Sequence, residues 1–188
     1  MFIDCSGFRS VLLGEHYGVP FVSQKHILFN DSALAVQVPY EPSTEIATTT
    51  KSTAHHAGWI WDIGLQHRRG VGAVFSSDHA SADTIEPSLD AYLRETGHPS
   101  GLSELEPRLI QFDPGYRKSF WHKNCVAVGL SAGFIEPLEA SALVLVELSA
   151  RSIAQQFPRT RQQMDTVAQR FNTEFLQRWE QILSLIHI

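Results

Sequence analysis

Alternation with a period of two governs the early part of the chain, and a 3.6-residue period governs its last third. Met1-Phe2-Ile3-Asp4-Cys5 reads as a short apolar strand entering a turn at Ser6-Gly7. Residues 8–18 carry Val11, Leu12 and Leu13 and end at Gly14 or Gly18, which predicts one short helix. From 27 to 77 the apolar positions alternate: Leu34, Val36 and Val38, then Thr48 to Thr53, then Trp59, Trp61, Ile63 and Leu65, then Val71 to Phe75. With β-branched and aromatic residues broken by Pro39, Pro42, Gly64 and Gly70, this predicts an antiparallel sheet of three or four strands. Ile85, Leu89, Tyr92 and Leu93 fall on one helical face over 84–96, closed by Gly97 and Pro99. Leu109-Ile110 and Tyr116 to Trp121 read as strand pieces, and Cys125-Val126-Ala127-Val128 as a central strand buried on both faces.

Pro137 to Gln156 is apolar nearly all round, so a buried helix is expected, with Pro137 in its first turn. A second helix opens after Pro158 with a Thr160/Gln163 capping box. Its stripe is Met164, Val167, Ala168, Phe171, Phe175, Trp179 and Ile182. The order of elements predicts a mixed α/β fold with one parallel component. A strand at the very start and a helical pattern still running at residues 183–188 read as a segment cut at both ends.

Composition narrows the function. The 188 residues are 43% hydrophobic and 19% charged, within the globular range. Fifteen Lys and Arg against twenty Asp and Glu give a net charge of −5, without the positive field that holds nucleic acid. Cys5 and Cys125 are far apart and form no Cys/His cluster, and the nine histidines show no H-x-x-x-H or H-E-x-x-H spacing, so no metal site is expected. No apolar run is long enough to span a membrane and no secretory signal opens the chain, which points to the cytoplasm.

The richest stretch runs from Asn124 to Ala142: a buried strand, a Gly-containing loop at 129–133, then a helix start whose free N–H groups and dipole suit an anion or cofactor. An ordinary strand-to-helix connection needs the same glycines. Gly129-Leu130-Ser131-Ala132-Gly133 also matches the G-x-S-x-G elbow of an α/β-hydrolase with Ser131 as nucleophile. Against that, Pro137 would break the helix an elbow enters, and the only histidine downstream is His187. Glu136 and Glu139, three apart at the expected helix start, are open to two readings, as partners of the dipole or as a general base. Trp59 and Trp61 share a strand face, either as core or as a lid over a planar ring.

Gly58-Trp59-Ile60-Trp61-Asp62-Ile63 resembles the W-x-W-x-I-P signature of flavin-dependent tryptophan halogenases, and Asn124 to Ala142 resembles that family's N-C-V-A-I-G-L…F-x-E-P-L-E-S segment. Phe2 to Ser10, Asn30-Asp31, Val38-Pro39-Tyr40, Ser52-Thr53-Ala54 and Ser76-Ser77 are similar too, so the resemblance covers most of residues 1–182. It implies part of a Rossmann-like FAD-binding domain of the aromatic-hydroxylase type with an inserted antiparallel sheet. The sheet would occupy about 27–77, a second FAD-binding segment 107–156 and a C-terminal helix 159–188. In the family, reduced FAD from a partner flavin reductase reacts with oxygen, and chloride or bromide is oxidised to hypohalous acid. A lysine elsewhere guides the oxidant to tryptophan, indole or another aromatic ring. By motif position Glu139 is the catalytic glutamate, the backbone N–H groups of Ser141 and Ala142 bind halide, and Leu130 and Leu143, with Gly129 and Ser131, touch FAD. Trp59 and Trp61 shield the flavin. Gly64, Ala140 and Ser141-Ala142 depart from the family pattern, where proline, serine and threonine-glycine or threonine-serine are usual. No G-x-G-x-x-G is present, so these 188 residues by themselves are expected neither to halogenate nor to hold FAD tightly. A flavin-dependent hydroxylase and an inactive binding module are the other readings of the same fold.

Overall fold

The computed structural model describes residues 1–41, 44–137 and 140–186. In chain order the elements are β1 Phe2–Asp4, β2 Phe21–Ser23, β3 Ser32–Pro39, β4 Lys51–His55, β5 Gly58–Gly64, β6 Arg68–Phe75, α1 Ala82–Glu95, β7 Arg108–Gln111, β8 Gly115–Arg117, β9 Trp121–His122, β10 Cys125–Ala127, β11 Gly133–Phe134, α2 Ser141–Gln155 and α3 Arg161–Ile186. They form two compact units, Met1–Leu28 with Asp113–Ile188, and Phe29–Phe112.

The second unit is the inserted sheet, with strand order β4-β5-β6-β3-β7 and every pairing antiparallel. It has five strands rather than three or four. Arg108–Gln111, assigned from sequence to a flavin-binding segment, pairs with β3 through Leu34↔Leu109 and belongs to this sheet. Four residues without alternation carry no pattern, so only the pairing reveals this strand. One face carries Leu34, Val36, Val38, Ile60, Val71 and Phe75 and packs against Ile85, Leu89, Tyr92 and Leu93 of α1, the stripe the helical period predicts. Trp59, Trp61 and Ile63 occupy the opposite face. Asn30-Asp31 and Ser76-Ser77 meet at the sheet's end, where the Asp31 carboxylate accepts the Ser77 N–H (2.8 Å) and hydroxyl (2.6 Å).

The first unit holds two small sheets, β1-β10-β9 and β11-β8-β2. β10 is central and buried throughout, and it runs parallel to β1 in the register Phe2↔Cys125. This is the expected parallel component. The helix anticipated over 8–18 is instead a short turn at Gly7–Arg9 followed by one wide turn, Val11–His16, closed by bonds from Glu15 N–H to Ser10 O (2.9 Å) and Tyr17 N–H to Leu12 O (3.0 Å). Its opening donors are taken by a side chain: the buried Asp4 carboxylate accepts from Leu12 N–H (2.9 Å), Leu13 N–H (2.8 Å) and Ser6 N–H (3.0 Å). That local clamp is what makes the wide turn stable without an ordinary helical ladder. α3 buries Ala168, Phe171, Phe175 and Trp179, and Asn172 fixes it by accepting from Phe120 and Trp121 N–H (both 2.8 Å) and donating to Trp121 O (2.8 Å).

Candidate functional site

After β10, Val128 N–H donates to the Asp4 carbonyl (3.0 Å) and the chain turns through Gly129, whose φ of +69° is left-handed and favours glycine. The turn Gly129–Ser131 leads into β11, so the sequence-expected loop contains an extra strand, paired to β8 as Gly133↔Tyr116. Ser131 is 1% exposed and donates its hydroxyl to Gly7 O (3.3 Å). A serine sealed in this way cannot act as a nucleophile, and β11 follows where an elbow needs a helix, so the hydrolase reading is overturned.

α2 begins at Ser141, not at Pro137. Pro137 therefore lies ahead of the helix, and Glu136, buried in the same stretch, precedes the helix start at which it was expected. Glu139 itself lies outside the described residues. Ala140 caps the helix in the left-handed conformation (φ 54°), and its carbonyl accepts from Leu143 N–H (3.0 Å) and Val144 N–H (3.3 Å). Among the described residues no acceptor is assigned to the N–H groups of Ser141 and Ala142, the donors a helix leaves unsatisfied at its start.

α2 is not the buried helix its composition predicts. Leu145, Ser149, Ser152 and Ile153 are buried, while Leu143 is 73% and Val144 51% exposed. Leu143, with Leu130 at 43%, forms an apolar wall beside the helix start. Gly129, Leu130, Ala142 and Leu143 are thus brought together, lining the rim of a cavity of about 190 Å³. Ser141 and Ser131 sit next to that rim in sequence, Ser131 with its hydroxyl turned inward.

Trp59 and Trp61 are half-buried with ring centroids 6.3 Å apart and planes at 63°. Trp61 lies over Gly72, where a Cβ would come within 2.2 Å of Cζ2, so Gly72 is a floor for the indole, and the Gly70-Val71-Gly72 stretch is sheet rather than a phosphate loop. The opposite face hides a network that sequence reading missed. Arg69 is paired with Asp62 through Nη2 to Oδ2 and Nε to Oδ1 (3.1 Å), and it also donates to Thr96 O (2.9 Å) and Thr96 Oγ1 (2.8 Å). Tyr92 OH completes the ring of contacts on Asp62 (3.0 Å). Burial opposes the Arg69 charge, but the Asp62 hydrogen bonds and field outweigh it and raise its pKa. An Asp in a W-x-W-D strand with Arg seven residues on is the only signal, and it does not reveal that both side chains turn inward.

The two cysteines are unpaired, and burial, helped by Asp4, pushes the Cys125 thiol up to about 11. No group of three His, Cys, Asp or Glu among the described residues is arranged to hold a metal ion. No described helix is long and apolar enough to cross a membrane.

The mixed α/β fold with its several sheets matches solved flavin-dependent halogenases. The tryptophan halogenase from Shewanella frigidimarina NCIMB 400 superposes with a TM-score of 0.88 at 52% identity, over 97% of this chain and 35% of that one. BrvH, a flavin-dependent halogenase from Brevundimonas sp. BAL3, matches with a TM-score of 0.84 at 40% identity, over 99% of this chain and 36% of its own. The chain belongs to the tryptophan halogenase family, whose model matches residues 1–188. Tryptophan 6-halogenase SttH of Streptomyces toxytricini is 41% identical over 159 residues, 84% of this chain and 29% of SttH. The chain thus spans about a third of the length of these relatives.

Proposed function

We propose that this chain is the halide-side and flavin-side segment of an enzyme that uses reduced FAD, oxygen and chloride or bromide to halogenate tryptophan or a related indole or aromatic ring. The observation that carries the reading is the meeting of an apolar wall with a helix start: Leu130 and Leu143 stand exposed beside Ser141 and Ala142, the first residues of α2. An apolar wall suits the ring of a flavin, and the paired amides at the positive end of a 15-residue helix suit a halide ion. The residues present fit one side of the cofactor; the sequence has no glycine fingerprint for its pyrophosphate.

Bound reduced FAD, with oxygen, supplies the two-electron oxidation that converts halide to hypohalous acid. Ser141 and Ala142 hold the halide through their amides. Leu130, Leu143 and the Gly129–Ser131 turn pack against the ring and keep water from it. Glu139, two residues before Ser141, accepts the proton that leaves the substrate ring. Trp59 and Trp61 shield the flavin face from substrate; in support, they share the open face of their sheet and are only half-buried. In this reading the flavin domain is Rossmann-like, a separate reductase supplies reduced FAD, and the protein works in the cytoplasm, a reading that the two unpaired cysteines support.

The test is to supply the protein, at its native length, with reduced FAD, oxygen and tryptophan or indole, with and without bromide. Halide-dependent product with the bromine isotope pattern is expected. Hydroxylated product formed equally without halide would make it a monooxygenase instead.

A further inference from the structure

Behind the rim formed by Leu130 and Leu143, the cavity of about 190 Å³ runs inward between α2, α3 and β11, and it is a second place where a small molecule can sit. Its inner walls are Phe120, Phe171, Phe175 and Trp179, with Leu145 and Ser149 from α2. Among the described residues that line it, none is charged. The rings are already held by one another: Phe120 and Trp179 lie stacked at 6.5 Å and Phe171 and Phe175 at 4.2 Å, so the walls are preformed rather than free to collapse inward. An engineered apolar cavity of about 150 Å³ in another protein stays dry and takes up benzene. This one is larger, and its lining is more aromatic.

We propose that this cavity binds a neutral aromatic molecule of one or two fused rings, of the size of indole, and excludes the zwitterionic amino acid. Ring faces on several sides favour an aromatic guest by edge and stacking contacts. Among the described lining residues Ser149 is the one with a side-chain acceptor, and it spends its proton on Leu145 O (2.7 Å), which leaves the hydroxyl oxygen to accept a ring N–H. An ammonium and a carboxylate would each lose water with no partner to replace it, so tryptophan is rejected where indole is held. The site differs from the flavin wall because its inner residues are buried, whereas the wall is the exposed side of the same loop and helix. The inference does not rest on the halogenase reading, because it needs only volume, lining and charge.

Fluorine NMR of fluoroindole with the flavin-free, native-length protein tests it. Expected are a shifted and broadened resonance that saturates at one site, no displacement by tryptophan at equal concentration, and loss of the shift in Ser149→Leu, which fills the cavity. Val146→Trp blocks the rim from a partly exposed position and serves as the second variant, so a folding failure of Ser149→Leu does not end the test. Absence of saturable binding to the folded wild type would overturn the proposal, as would displacement by tryptophan or by FAD, or binding unchanged in Val146→Trp.

Discussion

The Ser131 hydroxyl donates to the carbonyl of Gly7 across 3.3 Å, joining residues 124 positions apart. The bond ties the turn after β10 to the turn after β1, so the loop that carries Leu130 is held from behind. A sequence pattern that marks a nucleophile is used here as a fastener.

Replacing Ser131 with Ala removes one hydrogen bond and leaves the Gly7 carbonyl without this donor. A loss of about 1 kcal/mol in chemical denaturation is expected, with flavin affinity reduced as the loop loosens. Ester hydrolysis is expected at background for both proteins. An esterase activity that Ser131→Ala abolished would contradict the assignment.

Asp4 makes stability depend on acid. Burial works against its charge, but the Ser6 hydroxyl and the N–H groups of Leu13, Ser6 and Leu12 outweigh burial and hold its carboxyl below the ordinary carboxylate value. Because the folded value is the lower one, the contribution is complete above the unfolded value near about 4 and is lost as pH falls through the folded value. Wild-type denaturant midpoints should therefore drop more steeply below about pH 4 than those of Asp4→Asn, while at pH 7 the variant should be less stable by about 2–3 kcal/mol. Parallel pH profiles would mean that Asp4 is not the group responsible.

The Asp62–Arg69 pair gives an asymmetric mutant cycle. Arg69→Met leaves a buried carboxylate with Tyr92 OH as its remaining partner among the described residues and should cost about 3–5 kcal/mol, whereas Asp62→Leu combined with Arg69→Met should cost clearly less than the sum of the single changes. Additive costs in thermal or denaturant unfolding would show that the two side chains do not act as a pair.

Gly72→Ala should cost about 1–3 kcal/mol, because its methyl group meets the Trp61 ring at 2.2 Å from Cζ2. The near-ultraviolet dichroism of the Trp59–Trp61 pair should change with it. In a Trp61→Ala background most of the cost should disappear, since the obstructing ring is gone.

Ala140 is an ordinary residue in left-handed backbone at the start of α2. Ala140→Gly relieves the strain of a Cβ there, worth about 1–2 kcal/mol, against about 0.5–1 kcal/mol of added freedom in the unfolded chain. The variant should melt at the same temperature or slightly higher, and a clear drop would show that Ala140 is not strained.

The chain's own residue pattern determined the sheet alternation, the buried face of α1, the stripe of α3 and the central strand at Cys125. Each follows from periodicity, which is a local property of consecutive residues. The ordered motifs likewise marked the family. Tertiary structure alone decided the rest. The fifth strand, Arg108–Gln111, is too short to show a period and exists because β3 has an edge to pair. The start of α2 moved to Ser141 because Gly133-Phe134 is claimed by β8, which leaves Pro137 in the connection. The burial of α2 could not be read either: Leu143 and Leu145 are the same residue type two positions apart, and only the neighbours present on each side leave one exposed and the other packed. The inward turns of Ser131, Asp62 and Arg69 have the same origin, because a polar side chain is buried only where a distant partner, Gly7, Thr96 or Tyr92, arrives to replace its water.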